Sequence, residues 1–165
     1  MPAVWRQPAS DRTECGELSW CSASDIVFTP YTGGFSNRSI PIASGAAIKL
    51  IENDVATQNK GTESLQGGDD VTMVVQGGKA VSIIARRGTA TGNVVGFTAV
   101  TPFSMPAVTI ANQPSRIIQG PITLVDGKTW TFQIGNFPLA DGDEVFARWN
   151  PATNRYVQLK LLQKS

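Results

Sequence analysis

The stretch VTMVVQGGKAVSII, Val71 to Ile84, constrains the fold more than any other part of the chain. Two β-branched runs flank Gly77-Gly78, and a glycine pair is what a two-residue turn of the primed type demands, since both central residues take positive φ. With that turn Val75 faces Ala80, Met73 faces Ser82 and Val71 faces Ile84, while Val74 meets Val81 and Thr72 meets Ile83 on the reverse side. Both sides are apolar. Such a ribbon needs cover on each face, from a central place in a sheet, a second layer or another subunit.

Two more hairpins follow. In PITLVDGKTWTFQI, Asp126-Gly127 is a type I′ dipeptide, and Trp130, Phe132 and Ile134 alternate with Thr129, Thr131 and Gln133. The turns VQGGK and LVDGK hint at an internal duplication. In EVFARWNPATNRYVQL, a five-residue loop from Asn150 to Asn154 sets Trp149 opposite Arg155, Ala147 opposite Val157 and Val145 opposite Leu159. Its reverse face pairs Glu144 with Lys160, Phe146 with Gln158 and Arg148 with Tyr156, partners of the charge, packing and cation-over-ring kinds.

Val94–Val100 and Ala107–Ala111 read as further strands, bounded by Gly92-Asn93, Pro102, Pro106 and Pro114. Asp25–Thr29 and Ser39–Ala43 read as edge strands. Ala46 to Ala56 suits a helix capped by Ser44 as well as it suits a strand. The first 25 residues read as an irregular arm carrying Trp5 and Trp20; Asp11 and Glu14 have capping-box spacing, but Gly16 stops any helix there. The expectation is therefore all-β: an antiparallel sandwich or barrel of several hairpins over residues 26–165, at most one short helix, and an extended N-terminal arm over residues 1–25.

Composition narrows the function. The net charge is +1 and the basic residues are scattered, with Arg86-Arg87 the only adjacent pair, so nucleic acid is not expected as the main ligand. No apolar run approaches the roughly 18 residues of a membrane span, and no secretory signal is readable at the N-terminus. Cys15 and Cys21 are the only cysteines and histidine is absent, which removes a one-chain zinc finger and both Ser-His-Asp and Cys-His catalysis. The two thiols suit a reduced, half-buried state or a short-loop disulfide.

Proton transfer would fall to a carboxylate, lysine, tyrosine or cysteine. Carboxylates cluster at Glu52 with Asp54, at Asp69-Asp70, and at Asp141, Asp143 and Glu144. Each cluster reads first as a turn beside a strand, since Asp and Gly favour turns for their own reasons. A carboxylate-dependent glycoside hydrolase would need two of these acids to face each other across a cleft. Tyr31, Phe35 and Phe97, near glycine-rich turns, are candidate sugar platforms. No catalytic, cofactor-binding or metal site is expected.

The arm MPAVWRQPAS, the hairpins VVQGGKAVSII and LVDGKTWTF, and the ending DGDEVFARWNPATNRYV, set in a nearly neutral Thr/Gly/Val-rich body, resemble at the level of class the small β-rich structural proteins of tailed-bacteriophage virions. The resemblance implies a non-enzymatic head decoration, connector or tail component, located in the virion and assembled in the host cytoplasm. It implies a symmetric homo-oligomer, such as a trimer, bound to other virion proteins. Trp5, Trp20, Val71, Met73, Val75 and Ile84 are the expected interface residues. The alternatives are a carbohydrate- or surface-binding β-sandwich and, behind it, the glycoside hydrolase.

Overall fold

The computed structural model describes residues 11–34, 36–57, 61–98, 100–131 and 137–165. Among them the regular elements are all β-strands except one 3-10 turn, Thr62–Ser64, so the chain is all-β. It forms two compact units, Met1–Arg87 and Gly88–Ser165.

In the first unit β1 (Arg12–Cys21), β2 (Asp25–Pro30) and β3 (Arg38–Glu52) form an antiparallel meander, and β4 (Val55–Thr57) folds back on the end of β3. β5 (Asp70–Gln76) lies antiparallel to β1 and to the start of β6 (Lys79–Thr98), and β6 lies parallel to β3. The ring β1-β2-β3-β6-β5 therefore closes on itself, and none of its members is an open edge. This connectivity is that of the five-stranded Greek-key barrel of the OB type. Ile26, Phe28, Val71, Met73, Val75 and Ile83, each 0 % exposed, fill its interior. Each such side chain contributes about 1.5–3 kcal/mol relative to an exposed one.

Several expectations change here. Arg12–Cys21 is not arm but a strand paired on both sides, because Glu14, Gly16 and Leu18 alternate inward and outweigh the capping-box spacing. The boundary at residue 25 gives way to the division between Arg87 and Gly88. Residues 1–10, with Trp5, lie outside the described residues. Asp25–Pro30 and Ser39–Ala43 lie inside the ring rather than at an edge. Ala46 to Glu52 is strand, and Asn53 and Asp54 at φ 50° and 64° make the tight turn into β4. Cys15 and Cys21 are both free thiols on β1, and six residues of extended chain, about 20 Å, hold them too far apart for a disulfide.

The second unit repeats the first. From Gly88 onward β6 is the first strand and β7 (Ala107–Ile110) the second; β8 (Arg116–Ile117) and β9 (Ile122–Thr123) are two pieces of the third, and β10 (Thr129–Trp130) folds back on it. β11 (Glu144–Asn150) and β12 (Arg155–Gln163) close the ring, with Ile118 and β9 parallel to β12. The registers coincide. Arg12 to Glu17 face Val75 to Asp70 in the first barrel, and Gly88 to Asn93 face Trp149 to Glu144 in the second. The bulges recur as well: Leu18/Trp20 matches Val94/Gly96, and Val74/Val75 matches Arg148/Trp149. Gly16 and Gly92 take equivalent places, as do Phe28 and Ile110.

The duplication suspected from VQGGK and LVDGK is thus present, but those turns are not its counterparts. Gly77-Gly78 joins the fourth and fifth strands of the first barrel, whereas Asp126-Gly127 turns the third strand of the second into β10, where the first barrel has Asn53-Asp54. The equivalent sequences are LQGGDDV, Leu65 to Val71, and LADGDEV, Leu139 to Val145.

Hairpin geometry departs from expectation in three places. The Gly77-Gly78 turn has φ 60° and 78° and pairs Gln76 with Lys79, as a primed turn requires, but a bulge at Val81 then shifts the register, so Met73 faces Ile83 and Val71 faces Ala85. The second turn has three residues: Gly127 alone has positive φ, Gly127 N–H donates to Leu124 O at 2.9 Å, and Leu124 N–H donates to Lys128 O at 2.8 Å, a type I turn with a glycine bulge rather than type I′. Phe132, Gln133 and Ile134 lie outside the described residues. In the third hairpin Asn150 pairs with Arg155 and Trp149 with Tyr156, so Arg148 bonds Gln158 rather than stacking on Tyr156, and Glu144 faces Gln163 rather than Lys160. Asn150 Oδ1 tightens that loop by accepting from Ala152 N–H at 2.8 Å and Thr153 N–H at 3.3 Å.

Candidate docking surface

The expected interface residues separate. Val71, Met73 and Val75 are 0 % exposed in the first barrel's core, so they are not available to a partner. The apolar second face expected of this hairpin is mixed: Ile84 is half-buried on the outer wall beside Thr72 and Val74, and Val74 is 38 % exposed. Trp20, 55 % exposed at the end of β1, is an apolar side chain of the kind a partner covers.

Among the described residues the most exposed large apolar side chain lies elsewhere. At the β1–β2 connection the first barrel needs only Ser22 to Ser24, but the second barrel joins β6 to β7 by a longer loop that includes Val100 to Pro106. There Thr101 and Ser104 exchange backbone hydrogen bonds of 3.2 and 3.4 Å, their hydroxyls meet at 2.7 Å, and Phe103 N–H donates to Thr101 Oγ1 at 3.2 Å. This network holds a tight turn with Phe103 at its tip, 97 % exposed, and Met105 two residues on. A phenylalanine left in water forgoes about 1.5–3 kcal/mol of burial, so a turn that fixes it outward presents it for contact. The sequence carried a signal for this loop in TPFSMP, an aromatic and a methionine between two prolines.

Two of the candidate sugar platforms, Tyr31 and Phe97, remain partly exposed while each makes an internal contact. Tyr31 Oη donates to Asp70 Oδ1 at 2.9 Å, and Phe97 stacks on Phe137 with centroids 5.0 Å apart. Phe35 lies outside the described residues.

The carboxylate clusters serve the fold. Asp69 is 0 % exposed; its Oδ2 accepts Gln66 N–H at 2.9 Å and Arg87 Nη2 at 2.7 Å. Asp143 is also 0 % exposed; its Oδ2 accepts Ala140 N–H at 2.9 Å and Lys164 Nζ at 2.8 Å, and its Oδ1 accepts Ser165 N–H at 2.9 Å. Burial alone would raise the Asp143 carboxyl, but the bonds from Lys164, Ser165 and Ala140 outweigh it and hold the group below the ordinary carboxylate value. Glu52 adds a longer contact to Arg87 at 3.7 Å. No group of three or more metal-binding side chains occurs among the described residues.

A shallow cavity of about 410 Å³ in the second barrel is lined by Leu124, Val125, Asp126, Pro138, Leu161 and Lys164. Its single acid faces no second carboxylate in that lining, which is not the pair a glycoside hydrolase requires. No family model, no curated protein and no solved structure matches the chain.

Proposed function

We propose that this chain is a non-enzymatic structural protein that acts through subunit interfaces, of the kind that tailed-phage virions are assembled from. One observation carries the reading: a hydrogen-bonded turn displays Phe103 almost wholly to water, with Met105 beside it and Trp20 exposed on the other barrel. The acids grouped in the sequence support it, because Asp69 and Asp143 are each consumed in bonds within their own barrel. The partner is first a second copy of this chain, in a symmetric oligomer such as a trimer, and then a larger shell or tube.

The test is light scattering after size exclusion, comparing wild type with Phe103→Ser and Trp20→Ser. An oligomer that dissociates on either substitution while the fold persists supports the proposal. A wild-type monomer at all concentrations, with neither variant altering attachment to co-purifying proteins, overturns it. Barrels of this connectivity also bind oligosaccharides through their loops, so a saccharide array separates the second reading, a sugar-binding module.

A further inference from the structure

The fourth-to-fifth strand loop of the second barrel lies over a cluster that the first barrel lacks. Where the first barrel has Ile40, Val75 and Ala80, register places Arg116, Trp149 and Tyr156 in the second. Arg116 is 8 % exposed, with Cζ 3.8 Å from the centre of the Trp149 ring and 5.3 Å from that of Tyr156. Its Nε donates to Asn154 Oδ1 at 2.8 Å, and its Nη1 donates to Gln113 Oε1 at 3.1 Å and Tyr156 Oη at 3.2 Å. Every one of these partners is neutral.

The contrast with Arg87 is direct. That guanidinium is as deeply buried, at 5 % exposed, and it is met by Asp69 at 2.7 Å and Glu52 at 3.7 Å. Arg116 has no carboxylate partner among the described residues. A buried cation without a counter-charge is costly, and neutral oxygens and ring faces offset only part of that cost. Its Nη2 makes no hydrogen bond among the described residues, yet it is not among the sealed, unpaired polar atoms, so it reaches the surface. Thr153 Oγ1, next to Asn154 in the same loop, is sealed and unpaired. Buried polar groups in folded proteins almost always find partners, and Thr153 Oγ1 lacks one in the same loop whose Asn154 receives Arg116 Nε.

We propose that Arg116 and the loop Asn150 to Asn154 form a binding site for a small oxyanion, the end of a carboxylate, phosphate or sulfate group, received by Arg116 Nη2. The first barrel has no counterpart, so the site belongs to the second barrel alone. It is independent of the Phe103 turn and does not require the assembly reading.

The test uses the full wild-type chain labelled with nitrogen-15. The Arg116 Nε–Hε resonance, assigned by through-bond correlation to its own backbone, is followed while sodium sulfate, phosphate, acetate or chloride is added at matched ionic strength. A saturable shift with at least one oxyanion and none with chloride is the expected result. Saturation by sulfate and phosphate alone identifies a tetrahedral anion; saturation by acetate identifies a carboxylate, such as an acidic side chain of a partner. No shift, or one that grows without saturation and equally in all four salts, overturns the proposal.

Discussion

Asp69 and Asp143 do the same work in two successive copies of one barrel. Each is fully buried, each accepts the N–H three residues before it, and each carbonyl receives an N–H from the first strand: Leu18 to Asp69 and Val94 to Asp143, both at 2.8 Å. The preceding glycines, Gly68 at φ 94° and Gly142 at φ 91°, return a hydrogen bond to Leu18 O and Val94 O. A cation one residue beyond the fifth strand's pairing with the fourth then closes each clasp, Arg87 in one and Lys164 in the other. The aspartate thus ties the start of the fourth strand to the first and fifth strands, which is where the ring must close.

The two clasps should differ in strength. Asp69→Ala strands a guanidinium that is 5 % exposed and should cost about 3–5 kcal/mol, whereas Asp143→Ala releases a lysine that is 53 % exposed and should cost about 1–3 kcal/mol. Denaturant unfolding of both variants checks the order. Asp141→Asn, at an exposed position, should leave stability and assembly unchanged.

Acid should loosen the second clasp. The folded-state value of Asp143 lies below that of the unfolded chain, about 3.9, so its contribution is complete above that pH and is lost as pH falls through the folded value. The stability difference between wild type and Asp143→Asn should therefore be flat from about pH 7 to about pH 5 and shrink below about pH 4. Unfolding free energies measured across that range decide it.

Equivalent glycines should respond unequally. A Cβ at Gly16 would run into the backbone oxygen of Thr29 and the Phe28 ring, so Gly16→Ala should cost about 1–3 kcal/mol. At Gly92 the obstacle is the Ile110 Cγ2 methyl at 2.9 Å, which can turn aside, and the cost should be smaller. Gly77→Ala meets nothing within 4 Å, but its φ of 60° should still cost about 1–2 kcal/mol. Thermal unfolding of the three variants ranks them.

The two thiols should react at different rates. Cys15 is exposed, while Cys21 Sγ donates to Thr62 O at 3.3 Å, and burial, followed by the charges of Asp69 and Glu63, pushes its thiol up. A maleimide added at neutral pH should modify Cys15 first, as read by mass spectrometry of proteolytic fragments.

Phe103→Ser should leave unfolding free energy within about 0.5 kcal/mol of wild type, since the side chain packs on nothing it would lose. Any change in association state can then be assigned to the surface itself.

Local chemistry determined much of this protein from the sequence alone. Alternating apolar runs and glycine-bearing turns specify the all-β class and all three hairpins, because period-two patterning and positive-φ turns act over a few residues. Tertiary structure decided the rest. A bulge at Val81 or Val157 shifts a register without any mark in composition; the one at Val157 sets Trp149 rather than Arg148 opposite Tyr156, and it is Arg116, from β8, that lies near that ring. Whether Val71, Met73 and Val75 face a partner or a core depends on ring closure through the parallel pairing of β3 with β6, a contact between strands distant in sequence. The duplication was nearly silent in residue identity, since a barrel interior accepts many apolar combinations of similar volume, and it became visible only once hydrogen bonds set Asp69 beside Leu18 and Asp143 beside Val94.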